Sequence, residues 1–209
     1  MLAKWCTHDN TILPKFQPLS LSRLNSKIFL YIFTIHFQST IHFNHLYMIR
    51  PLDSPTTERE MDAINEFLDS SKEFHIMRDN IHHDVPILGG TWGIKLTSNM
   101  RSKMDQSFVK MFGSDIFFTS HDKRGPDQDL LGKYIWPWAK DFAMGHDSYS
   151  CMKYANSRPF PTRRKDKFCN FVGCIGEASE MFLKRIVFEK KNECPLACRP
   201  KSRPDWKYC

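Results

Sequence analysis

The sequence predicts an α/β fold, and three observations carry that expectation. Short apolar runs of strand length recur along the chain. Between them lie stretches with the apolar spacing of an amphipathic helix. Capping residues and glycines separate the two kinds of segment. His45 to Arg50 reads as a buried strand through Leu46, Tyr47, Met48 and Ile49. Ser54-Pro55 then gives an N-cap with proline at the first helical position, and Thr57 and Glu60 have capping-box spacing. Met61, Ile64 and Leu68 follow at i, i+3 and i+7, which predicts a helix over 55–69. Residues 73–78 read as a strand. Met104, Phe108 and Met111 mark a second helix that Gly113 closes as its C′ residue.

Asp115 to Phe118 reads as a short strand. Asp127 to Asp141 is predicted as a third helix carrying Leu131, Tyr134, Ile135 and Trp138 on one side, with Pro137 kinking or shortening it. Phe142 to His146 and Phe168 to Val172 are further strand candidates. The tail from Cys194 to Cys209, rich in proline and cysteine, is expected to be irregular. The domain division read from these patterns is a poorly defined segment 1–44, a globular part 45–190 and a Cys/Pro-rich tail 191–209.

Residues 1–48 read differently from the rest. They hold few acids and many scattered His, Asn, Ser and Thr. The apolar run Ile28 to Ile35 follows basic Arg23 and Lys27, as a signal anchor or a buried strand would. A bilayer span needs about 20 apolar residues, and extending this run meets His36 and Gln38, so membrane anchoring is not evident. No small-residue cleavage site and no glycine-rich phosphate loop stand out. The segment reads as a mis-joined or truncated start, with Met48 as an internal start.

Bulk numbers narrow the class. Of 209 residues, 41% are hydrophobic and 25% charged, which excludes a globally disordered chain. The formal charge of +7 favours anionic partners. The densest basic run, Arg163-Arg164-Lys165-Asp166-Lys167, is interrupted by an acid and reads as a solvated loop, so no nucleic acid is expected as partner. Six of the seven cysteines lie after position 150, which points to disulfides and a secretory compartment, with Cys6 the odd thiol. Zinc held by Cys194, Cys198 and Cys209 is the rival, and it lacks a CxxC pair.

Five stretches can carry chemistry: Arg50-Pro51-Leu52-Asp53-Ser54, His75-Ile76-Met77-Arg78-Asp79 with His82 and His83 after it, Gly89-Gly90-Thr91-Trp92-Gly93, Asp127-Gln128-Asp129, and His146-Asp147-Ser148-Tyr149. Each also has a structural reading. Asp53, Asp127 and Asp129 suit helix N-termini, His75 suits a core strand, Gly89-Gly90 a turn, and Trp92 a core.

The order of these motifs, from Ile49 to Cys209, resembles a family of largely uncharacterised GT-A-like glycosyltransferases. The resemblance implies a partial GT-A-like mixed sheet flanked by helices, with the N-terminal Rossmann-like half truncated. It implies transfer of a sugar from a nucleotide-sugar donor to a glycan acceptor in the secretory pathway or Golgi lumen. A divalent cation, manganese, would be held by Asp53 and His146, because a departing diphosphate needs a Lewis acid with hard ligands. Gly89, Gly90 and Gly93 would let the sugar approach, Trp92 would stack on it, and His75, Arg78 and Asp79 would help bind it. Asp127 and Gln128 would act at the sugar as catalytic residues.

Two departures weaken this. Pro51 occupies the family's first metal aspartate and offers no side-chain oxygen, leaving Arg50 uncompensated. The upstream nucleotide-binding half is too short, which would expose a sheet edge. The expected protein is therefore a weakened or inactive transferase. The alternative is a noncatalytic luminal module that binds glycans or a partner. A nucleic-acid-binding protein rests on the charge alone. A hydrolase would use His75, Asp79, His82, His83 and Asp84 as a metal site.

Overall fold

The computed structural model describes residues 34–35, 45–51, 54–114, 126–165, 171–174 and 192–209. They form a mixed open sheet of six strands in the order β1-β2-β4-β3-β5-β6. The strands are β1 (Thr34–Ile35), β2 (His45–Ile49), β3 (Phe74–Arg78), β4 (Trp92–Leu96), β5 (Ala143–Asp147) and β6 (Ser157–Arg158). β3, β5 and β6 are paired parallel, while β4 runs antiparallel between β2 and β3. The carboxyl ends of β2, β3 and β5 therefore share one rim with the amino end of β4. The α/β expectation holds at this level. Thr34–Ile35, the end of the apolar run, pairs antiparallel with β2.

Alternation along the strands sorts side chains onto two faces. Ile49, Phe74, Ile76, Trp92 and Ile94 pack with helix α2 (Ser98–Phe112) and with the segment 126–139. Leu46, Met48, Met77 and Met144 pack on the other face with helix α1 (Glu58–Asp69). β3 and β5 are buried along their whole length, as strands covered on both faces should be. Trp92 lies flat on Phe74 at 5.2 Å between ring centroids, with Trp138 edge-on to Phe74 at 5.9 Å. Gly93 faces Met48 across the ladder, where an added Cβ would come within 2.3 Å of the Met48 sulfur.

α1 starts three residues later than Ser54-Pro55 predicted. Thr57 is its N-cap and accepts from the Glu60 N–H at 3.1 Å. The reciprocal half of the capping box is missing, because the Glu60 carboxylate accepts two 2.8 Å hydrogen bonds from Arg50 instead. Arg50 is thus compensated after all, by an acid ten residues on. The buried stripe is Ala63, Ile64 and Phe67 rather than one led by Met61, which is exposed. α1 ends against Lys95, whose ammonium donates to the carbonyls of Phe67, Leu68 and Ser70 at 2.9, 3.1 and 2.7 Å. These are carbonyls of the helix end, where partners along the helix run out; Phe67 also accepts from the Ser70 N–H at 3.2 Å.

Gly113 caps α2 at φ −86°, so it does not use the left-handed conformation of a C′ glycine. The third helix is a composite: α3 (Pro126–Leu130), a π-helical turn (Leu131–Ile135) and α4 (Trp136–Ala139). Pro137 explains the break. It has no N–H to return to the preceding turn, and the wider turn ahead of it bonds Trp136 N–H to Leu131 O. Asp115–Phe118, residues 166–170 and Cys6 lie outside the described residues. Val172 sits in a turn rather than a strand.

The tail is irregular apart from a 3-10 turn at Leu196–Cys198. Disulfides join Cys151 to Cys198 and Cys194 to Cys209, and Cys174 is also disulfide-bonded. The zinc reading falls here, since Cys194, Cys198 and Cys209 spend their sulfurs in these bonds. No described helix is long and apolar enough to cross a membrane.

Replacing Lys95 with Met removes three charge-assisted hydrogen bonds at the end of α1. Stability is expected to fall by about 1–2 kcal/mol. Urea denaturation of both proteins, with the slope unchanged, measures it.

Candidate functional site

The rim shared by β2, β3, β4 and β5 gathers the motif residues, as expected for an open α/β sheet whose ligands sit beyond the strand carboxyl ends. On the side of α3, three motifs meet. A Cβ placed on Gly89 would stand 1.9 Å from Asp127 Oδ2, and one on Gly90 would stand 2.8 Å from Pro51 Cδ. The glycine pair is therefore the floor on which the Asp127 carboxylate rests, flanked by the strand end that carries Pro51. Asp127 and Gln128 are both partly exposed. Asp53 lies outside the described residues.

On the α1 side, Asp79 is fully buried and is the acceptor of a dense network. Arg59 donates to both its oxygens at 3.0 Å. Arg164 donates to Oδ1 at 2.7 Å, the Val172 N–H donates to Oδ2 at 2.9 Å, and the Ser148 hydroxyl also donates to Oδ1. Burial pushes the Asp79 carboxyl up, but the charges and hydrogen bonds of Arg59 and Arg164 outweigh it and hold the group below the usual range. Arg59 also lies over the Phe160 ring, 4.1 Å from its centroid. Arg164 was expected in a solvated loop; instead its side chain is 15% exposed and faces a buried carboxylate.

Arg78 and Asp147 pair across the β3–β5 register at 2.8 Å, and Ser157 donates to the same Asp147 oxygen at 2.7 Å. Tyr154 covers the Arg78 guanidinium at 3.8 Å. A third group runs inward from the surface. Glu66 contacts His146 Nε2 at 2.9 Å, and His146 Nδ1 contacts His75 Nε2 at 2.8 Å. With both rings neutral the protons are ordered. His146 donates from Nε2 to Glu66, and His75 donates from Nε2 to His146. That leaves the His75 Nδ1 lone pair buried with no partner among the described residues. Burial holds His75 well below the ordinary histidine range.

This geometry redistributes the predicted roles. His75, Arg78, Asp79, Trp92 and Gly93 were expected to touch substrate, but all are buried. They support the rim from beneath. Trp92 is stacked on Phe74 and only 1% exposed, so it offers no surface to a sugar. His146 does not fit a metal ligand, because both ring nitrogens are already engaged and the ring is fully buried. Among the described residues no group of three or more His, Cys, Asp or Glu is placed to hold a metal ion. The hydrolase cluster disperses for the same reason: Asp84 turns to Ser150 and Lys153 at the surface while Asp79 is held by arginines.

Arg59, Glu66, Ser157 and Thr162 were not singled out by sequence. Arg59 had a signal: it stands four and eight residues before Ala63 and Phe67, on the buried stripe of α1.

No family model, curated protein or solved structure matches the chain.

Asp79→Asn strands two guanidinium groups, so a loss of about 3–5 kcal/mol is expected, measured by denaturant unfolding. The pH profile should show two steps. Burial lowers His83 to about 4, against about 6.5 when unfolded. Between those values the unfolded chain binds the extra proton, so stability falls as pH drops from about 6.5 to about 4. His75 acts in the same sense. The slope is up to about 1.4 kcal/mol per pH unit for each proton. The depressed Asp79 carboxyl adds stability that is present above about pH 4 and lost below it. Melting curves across pH 3–8 test both steps, and a flat profile between 4 and 6.5 contradicts the histidine assignment.

Proposed function

We propose that this chain is a glycosyltransferase-like protein that receives a nucleotide-sugar donor at the rim of a partial GT-A-like mixed sheet. Transfer to a glycan acceptor is weakened or lost. The observation that carries this reading is the seating of Asp127 on Gly89, with Pro51 against Gly90. Three segments far apart in sequence converge where an open α/β sheet binds ligands. Asp127 and Pro51 take up the space that side chains at Gly89 and Gly90 would fill. Asp127 can accept from sugar hydroxyls, and the Gln128 amide can both donate and accept.

The same site explains a weakened reaction. Pro51 supplies no oxygen, and the adjacent cation Arg50 is committed to Glu60. The charge developing on a departing diphosphate therefore gains no ligand oxygen from Pro51, and Arg50 is turned to Glu60. His146, engaged with Glu66 and His75, takes no part in the step. The two disulfides support a luminal, secretory-pathway setting. The second reading, a noncatalytic luminal module, is favoured by the sealed His146.

A thermal melt with manganese and a panel of nucleoside diphosphates tests the site, because a ligand bound only by the folded state raises the midpoint. The native chain is expected to shift little. Pro51→Asp should shift upward with manganese and one nucleotide together, and adding Asp127→Asn should reduce the shift for the matching nucleotide sugar. No shift of the Pro51→Asp protein with any nucleotide removes the donor-site reading and leaves the binding module.

A further inference from the structure

A second cleft, of about 720 Å³, lies on the α1 side of the sheet beside β6 and the tail. Its volume is within the range of roughly 300–1,000 Å³ typical of small-ligand sites. Lys72, Arg158, Arg199 and Lys201 line it, with Glu66 as its acid. Pro159 and Pro161 give it a partly exposed apolar side, with Phe160 buried beneath them. None of the donor-site residues Pro51, Gly89, Gly90 and Asp127 belongs to it.

Three features make it a built site rather than a gap. Glu66 is fixed by the buried His146, itself backed by His75, so the wall carries one oriented acceptor. Burying that imidazole pair with one ring nitrogen unpartnered costs stability, and the line of three ends at the cleft. The opposite wall, with Ala197, Arg199 and Lys201, is folded by Cys151–Cys198 and Cys194–Cys209. Arg199 is held in place by donating to the Cys194 carbonyl at 2.9 Å.

We propose that this cleft binds an anionic saccharide, a short sugar chain bearing sulfate or carboxylate groups. Arg158 stands 3.9 Å from Glu66 and Arg199 3.7 Å from Glu193, so Lys72 and Lys201 carry the excess positive charge that selects an anion. The partly exposed Pro159 and Pro161 suit the apolar face of a sugar ring, and Glu66 suits a hydroxyl. A wall folded by disulfides belongs to an oxidising compartment, where acidic glycans rather than nucleic acids are the polyanions present. The inference stands apart from the donor site and needs neither nucleotide nor manganese.

The test titrates the full oxidised chain with a sulfated hexasaccharide, a uronic-acid hexasaccharide, a neutral hexasaccharide and an RNA oligonucleotide of equal charge, without nucleotide or metal. At least one acidic sugar is expected to bind, at least tenfold tighter than the neutral sugar and the RNA; the tighter of the two names the anionic group. Arg158→Glu with Lys201→Glu should weaken it at least tenfold at unchanged melting temperature. Lys201→Glu alone, on an exposed turn, should weaken it in the same direction if the double variant does not fold. Lys110→Glu with Lys133→Glu, equal in charge change but on exposed positions of other elements, should leave it unaltered. Equal loss in that control, RNA binding as tight as the sugars, or no acidic sugar bound at millimolar concentration overturns the proposal.

Discussion

A single buried carboxylate, Asp79, ties together parts of the chain that no hydrophobic contact could place in register. It sits one residue past the end of β3 and accepts from α1 through Arg59, from the end of β5 through Ser148, from the loop after β6 through Arg164, and from the backbone at Val172. Apolar packing brings helices onto a sheet but slides easily along it, because it is non-directional. A fully desolvated carboxylate permits no such slippage. Each donor must arrive at one point, or a buried charge is left unpaired. The rim inherits its shape from this requirement, since the groups that meet at Asp79 include the ends of β3 and β5, strands buried along their whole length.

The rim is thereby divided. Toward α3 it is built from residues without bulk, Gly89 and Gly90, against which Asp127 and Pro51 pack. Toward α1 it is closed by arginine and carboxylate. The buried motif residues, Arg78, Asp79 and Trp92 among them, earn their place by support rather than contact.

Much of the sheet was legible in the sequence because strand periodicity is local: β2, β3 and β5 fall within a residue of the apolar runs that announced them. Caps were less legible. Ser54-Pro55 and Thr57 compete for the same helix start, and Thr57 takes it with only its own hydroxyl as cap, the Glu60 carboxylate being held by Arg50. The strand and helix ends that carry the motif residues were legible, but the partners of those residues were not. Arg59 reaches Asp79 across 20 residues, Arg164 across 85, and Glu66 reaches His146 across 80. Nothing within a window of neighbours says that a histidine after a strand will be sealed between a carboxylate and a second histidine. Arg164, in a run of basic residues, had every local reason to be solvated.

The π-helical turn at Leu131–Ile135 sets the phase of the segment that carries Asp127. One residue more than an α-turn needs is accommodated there, so the two flanking pieces are rotated relative to each other by about 100°, the angular step of one helical residue. Downstream, Ala139 and Trp138 meet the sheet; upstream, Asp127 meets Gly89. A continuous α-helix through these residues satisfies one end only. The extra residue works as a clutch, letting the packing end and the chemical end of one helix be indexed independently. Lineages of such a segment should therefore differ by single-residue gaps at this turn, and a gap there would change what faces the glycine floor without disturbing the core.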